Sequence, residues 1–445
     1  MSDAISSVVH SIRASRLLRI LLLGFLVLLL QIPVVMIHGQ ISGRRDTRDE
    51  AVQEVTQSWG KEQSIVGPVL VVPYVRKWTE EGKSGESRVR TSEHEATFLP
   101  DTLDISGKLD TEVRNRGIFK VPVYKLALDV KGRFKRPDFS GWGVAEENIR
   151  WDKAVLWVKV ADARAIQNQA GLTWGGVSAP FEPGTGGVAG DTPGIHVPLR
   201  GRMQGGAYDF SFSLAANGSE ALSFAPLGQL TTVHLASNWG DPSFQGNWLP
   251  TERKVTSDAF DATWSISYLG RNYPQRWTSD SSSHAKIDES EFGVKLVTPV
   301  DPYRMAERSV KYEALFIMLT FVTLWLFEVV VKRRVHSVQY LMVGAGMCLF
   351  YLLELSLAEH LGFAFAYALA SAAVIGLITA YCIAVLKGLK RASIVGGFLV
   401  FLYGYLYILL KNQDYALLIG SIGLFFVLAL VMYLTRKVDW NATTA

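Results

Sequence analysis

Six apolar runs dictate what this chain can fold into, because each is long enough to cross a bilayer. They occupy residues 17–37, 314–331, 340–357, 363–386, 394–410 and 415–435. The first reads LLRILLLGFLVLLLQIPVVMI. In hydrocarbon a backbone must satisfy its own hydrogen bonds, and single runs of this length do so as helices. Only 19% of the 445 residues are charged, which is low for a water-soluble protein. Arg13, Arg16 and Arg19 flank the first run as in a signal peptide. It is followed by HGQISGRR rather than a small-x-small cleavage site, so it reads as a retained anchor.

The basic residues set a direction. Lys332, Arg333 and Arg334 follow the second run, and Lys387, Lys390 and Arg391 follow the fourth. The third and fourth are joined by AEHLG, without Lys or Arg, and the fifth and sixth by a link with only Lys411. Arg436 and Lys437 open the tail. Lys and Arg favour the cytoplasmic side of short loops. This predicts both termini inside, residues 38–311 outside, an anchor within 1–37, a bundle of five helices over 312–435 and a tail at 436–445. Arg44, Arg45 and Arg48 oppose the rule, but they open a long translocated segment, where charge counts for little.

Between the first two runs the pattern changes. RRDTRDEAVQEVTQSW places Val52, Val55 and Trp59 at helical spacing and predicts a short separate amphipathic helix. From Val69 onward the period is two. Leu156, Val158 and Val160 mark one strand, and Leu126, Leu128 and Val130 alternate with mostly polar neighbours in another. So do Tyr208, Phe210, Phe212 and Leu214, and Ala262, Trp264, Ile266 and Tyr268. Asn217-Gly218 predicts a hairpin turn leading to Leu222 and Phe224. Asp301-Pro302 supplies an N-cap and a first helical residue, opening a helix expected to run unbroken into the second membrane span. The expected fold class is a membrane protein of α plus β type. A large extracytoplasmic antiparallel β-sandwich-like domain is inserted between transmembrane helix 1 and a C-terminal five-helix transmembrane bundle.

The chemistry is sparse. HExxH, GxSxG and GxxxxGK[ST] do not occur in the sequence. The glycine-rich run PGTGGVAGDTPG at 183–194 has no lysine and reads as a surface loop. Cys348 and Cys382 both lie in apolar runs, so neither a disulfide framework nor a cysteine zinc site is expected in the polar middle. His94, His196, His234 and His284 are scattered. No metal, cofactor or catalytic residue is predicted, and the dispersed net charge of +4 does not suggest nucleic acid. Two acids, Glu328 and Glu354, sit inside apolar runs, where a charge is costly and often functional. Their positions near opposite helix ends predict local snorkelling or pairing rather than one shared proton site, with a proton relay as the alternative. Ala364, Ala368, Ala372, Gly376 and Ala380 recur every four residues, a stripe expected to pack inside the bundle. The stretch SNWGDPSFQGNWLP at 237–250 carries Trp239, Asp241, Phe244 and Trp248 around two turns. It is either a ligand platform or a plug in the end of the sandwich, and the second reading is preferred.

Several segments together resemble the CreD family of bacterial inner-membrane proteins. They are IVGPVLVVPY at 65–74, FLPDTL at 98–103, RGIFKVPVY at 116–124 and VADAR at 160–164. SNWGDPSFQGNWLP, RSVKYEALF, VQYLMVG at 338–344 and LTRKVDW at 434–440 complete the set. The resemblance implies the inner membrane of a Gram-negative cell, expression linked to a two-component sensor and regulator, and a part in envelope integrity and stress response. It supplies no catalytic residues. The favoured expectation is a non-enzymatic protein whose partners are the lipid bilayer and an envelope protein or cell-wall component. A flippase or transporter for a lipid-linked molecule and a periplasmic glycan or peptide enzyme are the alternatives.

Overall fold

The computed structural model describes residues 16–81, 87–279, 283–297, 301–331, 335–412 and 414–436. It divides into two compact units, Met1–Arg48 with Val300–Ala445, and Asp49–Pro299.

The first unit is helical. Helix α1 runs over Arg16–Trp59. The separate amphipathic helix expected after residue 43 is therefore the last part of α1. Gly39 and Gly43 each cost a helix only about 1 kcal/mol relative to alanine, too little to end it. Leu26, Leu30, Val34, Ile37 and Ile41 form its buried stripe.

The β-strands of the second unit, in chain order, are β1 (Gln63–Glu81), β2 (Ser87–Phe98), β3 (Thr102–Arg116), β4 (Phe119–Lys135) and β5 (Val155–Val160). Next come β6 (Gly171–Trp174), β7 (Val177–Pro180), β8 (Glu182–Pro183), β9 (Gly194–Pro198), β10 (Ala207–Ser219) and β11 (Ala221–Phe224). The last are β12 (Leu230–Ser237), β13 (Pro242–Gly246), β14 (Glu252–Val255), β15 (Phe260–Ser267), β16 (Arg276–Thr278) and β17 (Phe292–Leu296), with the short helix α2 (Ser283–Asp288) before β17.

Two sheets carry these strands. One has nine strands, with the path β13-β17-β11-β1-β5-β9-β8, with β2 added beside β1 and β16 beside β2. The other has eight, in the order β14-β15-β12-β3-β4-β10-β6-β7. The inward residues of both sheets make one core, in which Trp264 of β15 meets Phe292 of β17 at 5.7 Å between ring centroids. The sandwich is mixed rather than wholly antiparallel, because β1 pairs with β11, and β12 with β3, in parallel.

The expected hairpin at Asn217-Gly218 does not form. Both residues stay in β10, opposite Lys125 and Tyr124 of β4. The chain then changes sheet at Glu220, whose φ of 57° is left-handed, and β11 joins β17 and β1. Gly218 is needed for contact rather than for turning, since a Cβ there would strike the Tyr124 ring. The alternation through Ala262, Trp264 and Ile266 also stops short of Tyr268, which begins a 3-10 turn and is exposed.

The bundle consists of α3 (Pro302–Lys311), α4 (Glu313–Val331), α5 (Ser337–Leu361), α6 (Phe363–Leu386), α7 (Leu389–Lys411) and α8 (Ala416–Thr435). Asp301 caps α3 as its sequence predicts, accepting hydrogen bonds from the Tyr303 and Arg304 amides. The expected unbroken run into the membrane is not found, because α3 and α4 are bent by 46° at Tyr312. Five described helices are long and apolar enough to cross a membrane, or six when this bent pair counts as one span.

The small-residue stripe on α6 also differs from expectation. Ala364, Ala368, Ala372, Gly376 and Ala380 face outward, and α6 is buried instead along Phe363, Ala366, Tyr367, Ala370, Val374 and Ile378. Bulky neighbours on that second stripe bury more apolar surface than the alanines would. Close helix approach occurs at Gly344 on α5, where a Cβ would overlap Leu30 of α1.

A buried polar clamp ties the two sheets together. Gln63 of β1 donates through Nε2 to the Asn217 carbonyl (2.9 Å) in the other sheet and to the Asp162 carbonyl (3.3 Å). The Asp162 carboxylate accepts from the Lys61 amide and from Arg164. Burial pushes this carboxyl up, but Arg164 and the Lys61 amide outweigh burial and hold it below the usual carboxylate range. A depressed folded-state value contributes stability at neutral pH, and that contribution is lost as pH falls through it. Thermal unfolding followed across the acid range should therefore show a shallower acid limb in Asp162→Asn than in wild type. An unchanged limb would remove Asp162 from the clamp.

Candidate functional site

The aromatic segment folds as an edge. Pro242 to Gly246 form β13, paired with β17 at the margin of the nine-stranded sheet. This pairing points Phe244 across the sandwich, where it meets Phe260 and Trp264 of the other sheet edge-on at 5.8 and 5.7 Å. Trp248 meets Phe292 edge-on at 6.2 Å, and its carbonyl accepts from the Trp264 indole at 3.2 Å. Trp239 donates from its indole to the carbonyls of Asp241 and Val297, both at 3.2 Å. All three rings are half-buried against the core, whereas Asp241 is exposed. The segment thus braces the open end of the two sheets.

The outer face of the eight-stranded sheet offers a different geometry. A groove of about 580 Å³ crosses β12, β3, β4 and β10. Strand alternation places Asp104, Lys131, Arg133, Asp209 and Thr232 on this face. Arg133 binds Asp209 through two hydrogen bonds, at 2.6 and 3.2 Å, and Lys131 lies 3.3 Å from Asp104. The Asp209 pair raises the Arg133 guanidinium above its ordinary value and lowers the Asp209 carboxyl. Gly132 has no room for a side chain, because a Cβ would strike the Thr102 carbonyl and the Phe210 ring. The groove is lined by the charged pairs Arg133–Asp209 and Lys131–Asp104.

The membrane unit buries its acids. Glu354 on α5 is fully buried and accepts a hydrogen bond from Ser309 of α3 at 2.8 Å, instead of the basic partner its sequence position suggests. Glu328 on α4 accepts from Tyr340 at 3.3 Å. Lys332 and Arg333, its expected neighbours, lie outside the described residues. Tyr340 and Glu354 are separated along α5 by about 21 Å of helix rise, so the two acids are at opposite ends, as expected. The sequence reading missed a third acid, Glu313, which is buried at the start of α4 and accepts from Gln31 of α1 at 3.3 Å. The signal was present in Gln31, the one polar side chain in LLLGFLVLLLQIPVVMI.

Among the described residues no group of three or more His, Cys, Asp or Glu side chains is arranged to hold a metal ion. His234 pairs with Asp261 at 2.9 Å on the sheet surface, and His196 contacts the Gly184 carbonyl at 2.9 Å. His94 stacks on Tyr74, while the His284 side chain lies outside the described set.

The sequence profile of the family described as "Inner membrane protein CreD" matches residues 15–441. The chain belongs to the CreD family. It is 35% identical over 421 residues to the inner membrane protein CreD of Escherichia coli (strain K12), covering 94% of this chain and 92% of that relative. Membership makes the apolar helices those of an inner-membrane protein family with a β-rich domain. In this CreD-family chain the aromatic segment should respond to truncation through stability. Phe244→Ala should lower the unfolding free energy by about 2–3 kcal/mol, below the full cost for a completely buried ring. Asp241→Ala should stay within about 0.5 kcal/mol of wild type. Denaturant unfolding of the full chain in detergent checks both, and equal effects would contradict the brace.

Proposed function

We propose that this chain is a non-enzymatic envelope protein whose β-sandwich lies on the outer side of the inner membrane and contacts an envelope protein or cell-wall component. The observation that carries the reading is the charge-lined groove on the eight-stranded sheet. A bidentate Arg133–Asp209 pair and the adjacent Lys131–Asp104 pair present both donors and acceptors on a rigid strand framework. A polar, charged partner such as a cell-wall peptide would exchange these internal pairs for its own charges. Exposed pairs contribute about 0–1 kcal/mol each, so opening them costs the domain little. Orientation rests on the distribution of Lys and Arg among the short loops. The segment 237–250 supports the reading by bracing the sandwich end, with Asp241 as its exposed polar residue.

A second reading, transport or flipping of a lipid-linked molecule, is favoured by the buried acids of the bundle. The two are separable in cells. A photo-crosslinking residue at Thr232 should capture an envelope component, and Arg133→Glu should reduce that capture at least about tenfold, the effect of losing about 1.4 kcal/mol. Membrane level and thermal unfolding should stay unchanged. Capture that is indifferent to Arg133→Glu, together with loss of cellular function on replacing Glu354, would move the weight to transport.

A further inference from the structure

Ser309 and Glu313 stand on either side of the bend at Tyr312. Each is tied to a different helix. Ser309 donates to Glu354 Oε2 on α5 at 2.8 Å, and Glu313 Oε2 accepts from Gln31 of α1 at 3.3 Å. The second oxygen of each carboxyl, Oε1, is buried and has no hydrogen-bond partner. The two residues are 0% and 1% exposed, for Glu354 and Glu313 respectively.

Among the described residues the hydrogen-bond partners of the two carboxyls are the neutral Ser309 and Gln31. Ser309, which holds Glu354, and Glu313 are four residues apart, about 6 Å of helix rise, so the two carboxyls are tied to the two sides of one bend. The Tyr367 hydroxyl of α6 donates to the Tyr403 carbonyl of α7 at 2.6 Å. The nearby cations are engaged elsewhere. Arg308 donates to the carbonyls of Leu409 and Leu410, and Arg44 lies 3.6 Å from Glu359, which also accepts from Tyr303.

We propose that Glu313 and Glu354 form a proton-binding site built across the bend between α3 and α4. An ionised carboxylate held away from water without a cation is strongly disfavoured against its neutral, protonated form. A proton on the unpartnered oxygen turns –COO⁻ into –COOH, removes the charge and leaves the bonds from Ser309 and Gln31 in place. Proton loss would create a buried charge beside the hinge residues on both sides of Tyr312. Proton occupancy therefore governs how α3 continues into α4. The inference is independent of the groove reading, because it uses only residues of the helical unit.

The test is infrared difference spectroscopy of the full chain in lipid bilayers, acid minus alkaline. Wild type should show the carbonyl stretch of a protonated carboxyl in an apolar site, displaced when the protein is grown on heavy-carbon glutamate. Glu354→Gln and Glu313→Gln should each remove one component. Ser309→Ala should shift the Glu354 component without removing it, a change that a purely structural role would not produce. The proposal is overturned if heavy-carbon glutamate moves no band in wild type, which needs no variant to fold. It is equally overturned if folded Gln variants keep the full signal, or if the signal follows sodium or potassium rather than pH.

Discussion

A polar group sealed in hydrocarbon must find its partner within the protein, and the membrane unit is organised by that demand. Thr320 and Thr323 return their hydroxyls to carbonyls one turn back. Tyr367 reaches the Tyr403 carbonyl on the next helix. Glu354 and Glu313 are met by Ser309 and Gln31, neutral donors that satisfy an oxygen without cancelling a charge. The helices that supply these donors must then hold fixed positions relative to the acids. The bend at Tyr312 places Ser309 and Glu313 where two different helices can reach them.

The β-unit answers to water instead. Charged pairs such as Arg133–Asp209 and Arg136–Glu146 stand on outer faces, while the inner faces carry Trp174, Trp264, Phe224 and Phe292. Large rings need support at the ends of a sandwich, where sheets diverge and water enters. Phe244 and Trp248 supply it from the edge strand β13 and the turn after it. The clamp of Gln63, Asp162 and Asn217 does similar work through hydrogen bonds that are buried and fully directed.

Much of this was legible because burial imposes a period. The alternations in β4, β10 and β15 are visible in the sequence, since their outward residues face solvent. The crossover at Glu220 was hidden because Asn217-Gly218 carries a strong turn signal, yet the glycine is there for the Tyr124 ring. Parallel pairings left no local mark, since they join strands distant in the chain. The bend at Tyr312 has neither Pro nor Gly to announce it. Glu354 could be found from its apolar neighbours, but Glu313 sits at a run boundary where an acid looks unremarkable. Its burial depends on α1, which is nearly three hundred residues away in sequence, as the separation of 282 between Gln31 and Glu313 shows.

The whole account depends on the β-unit lying outside the inner membrane, so its most direct test is the placement of reporters along the chain. Alkaline phosphatase inserted at the Gly175-Gly176 turn between β6 and β7, or at Gly362 between α5 and α6, should be active, whereas a fusion at Gly388 should be inactive. The reverse pattern, activity at Gly388 and none at Gly175-Gly176, would contradict it.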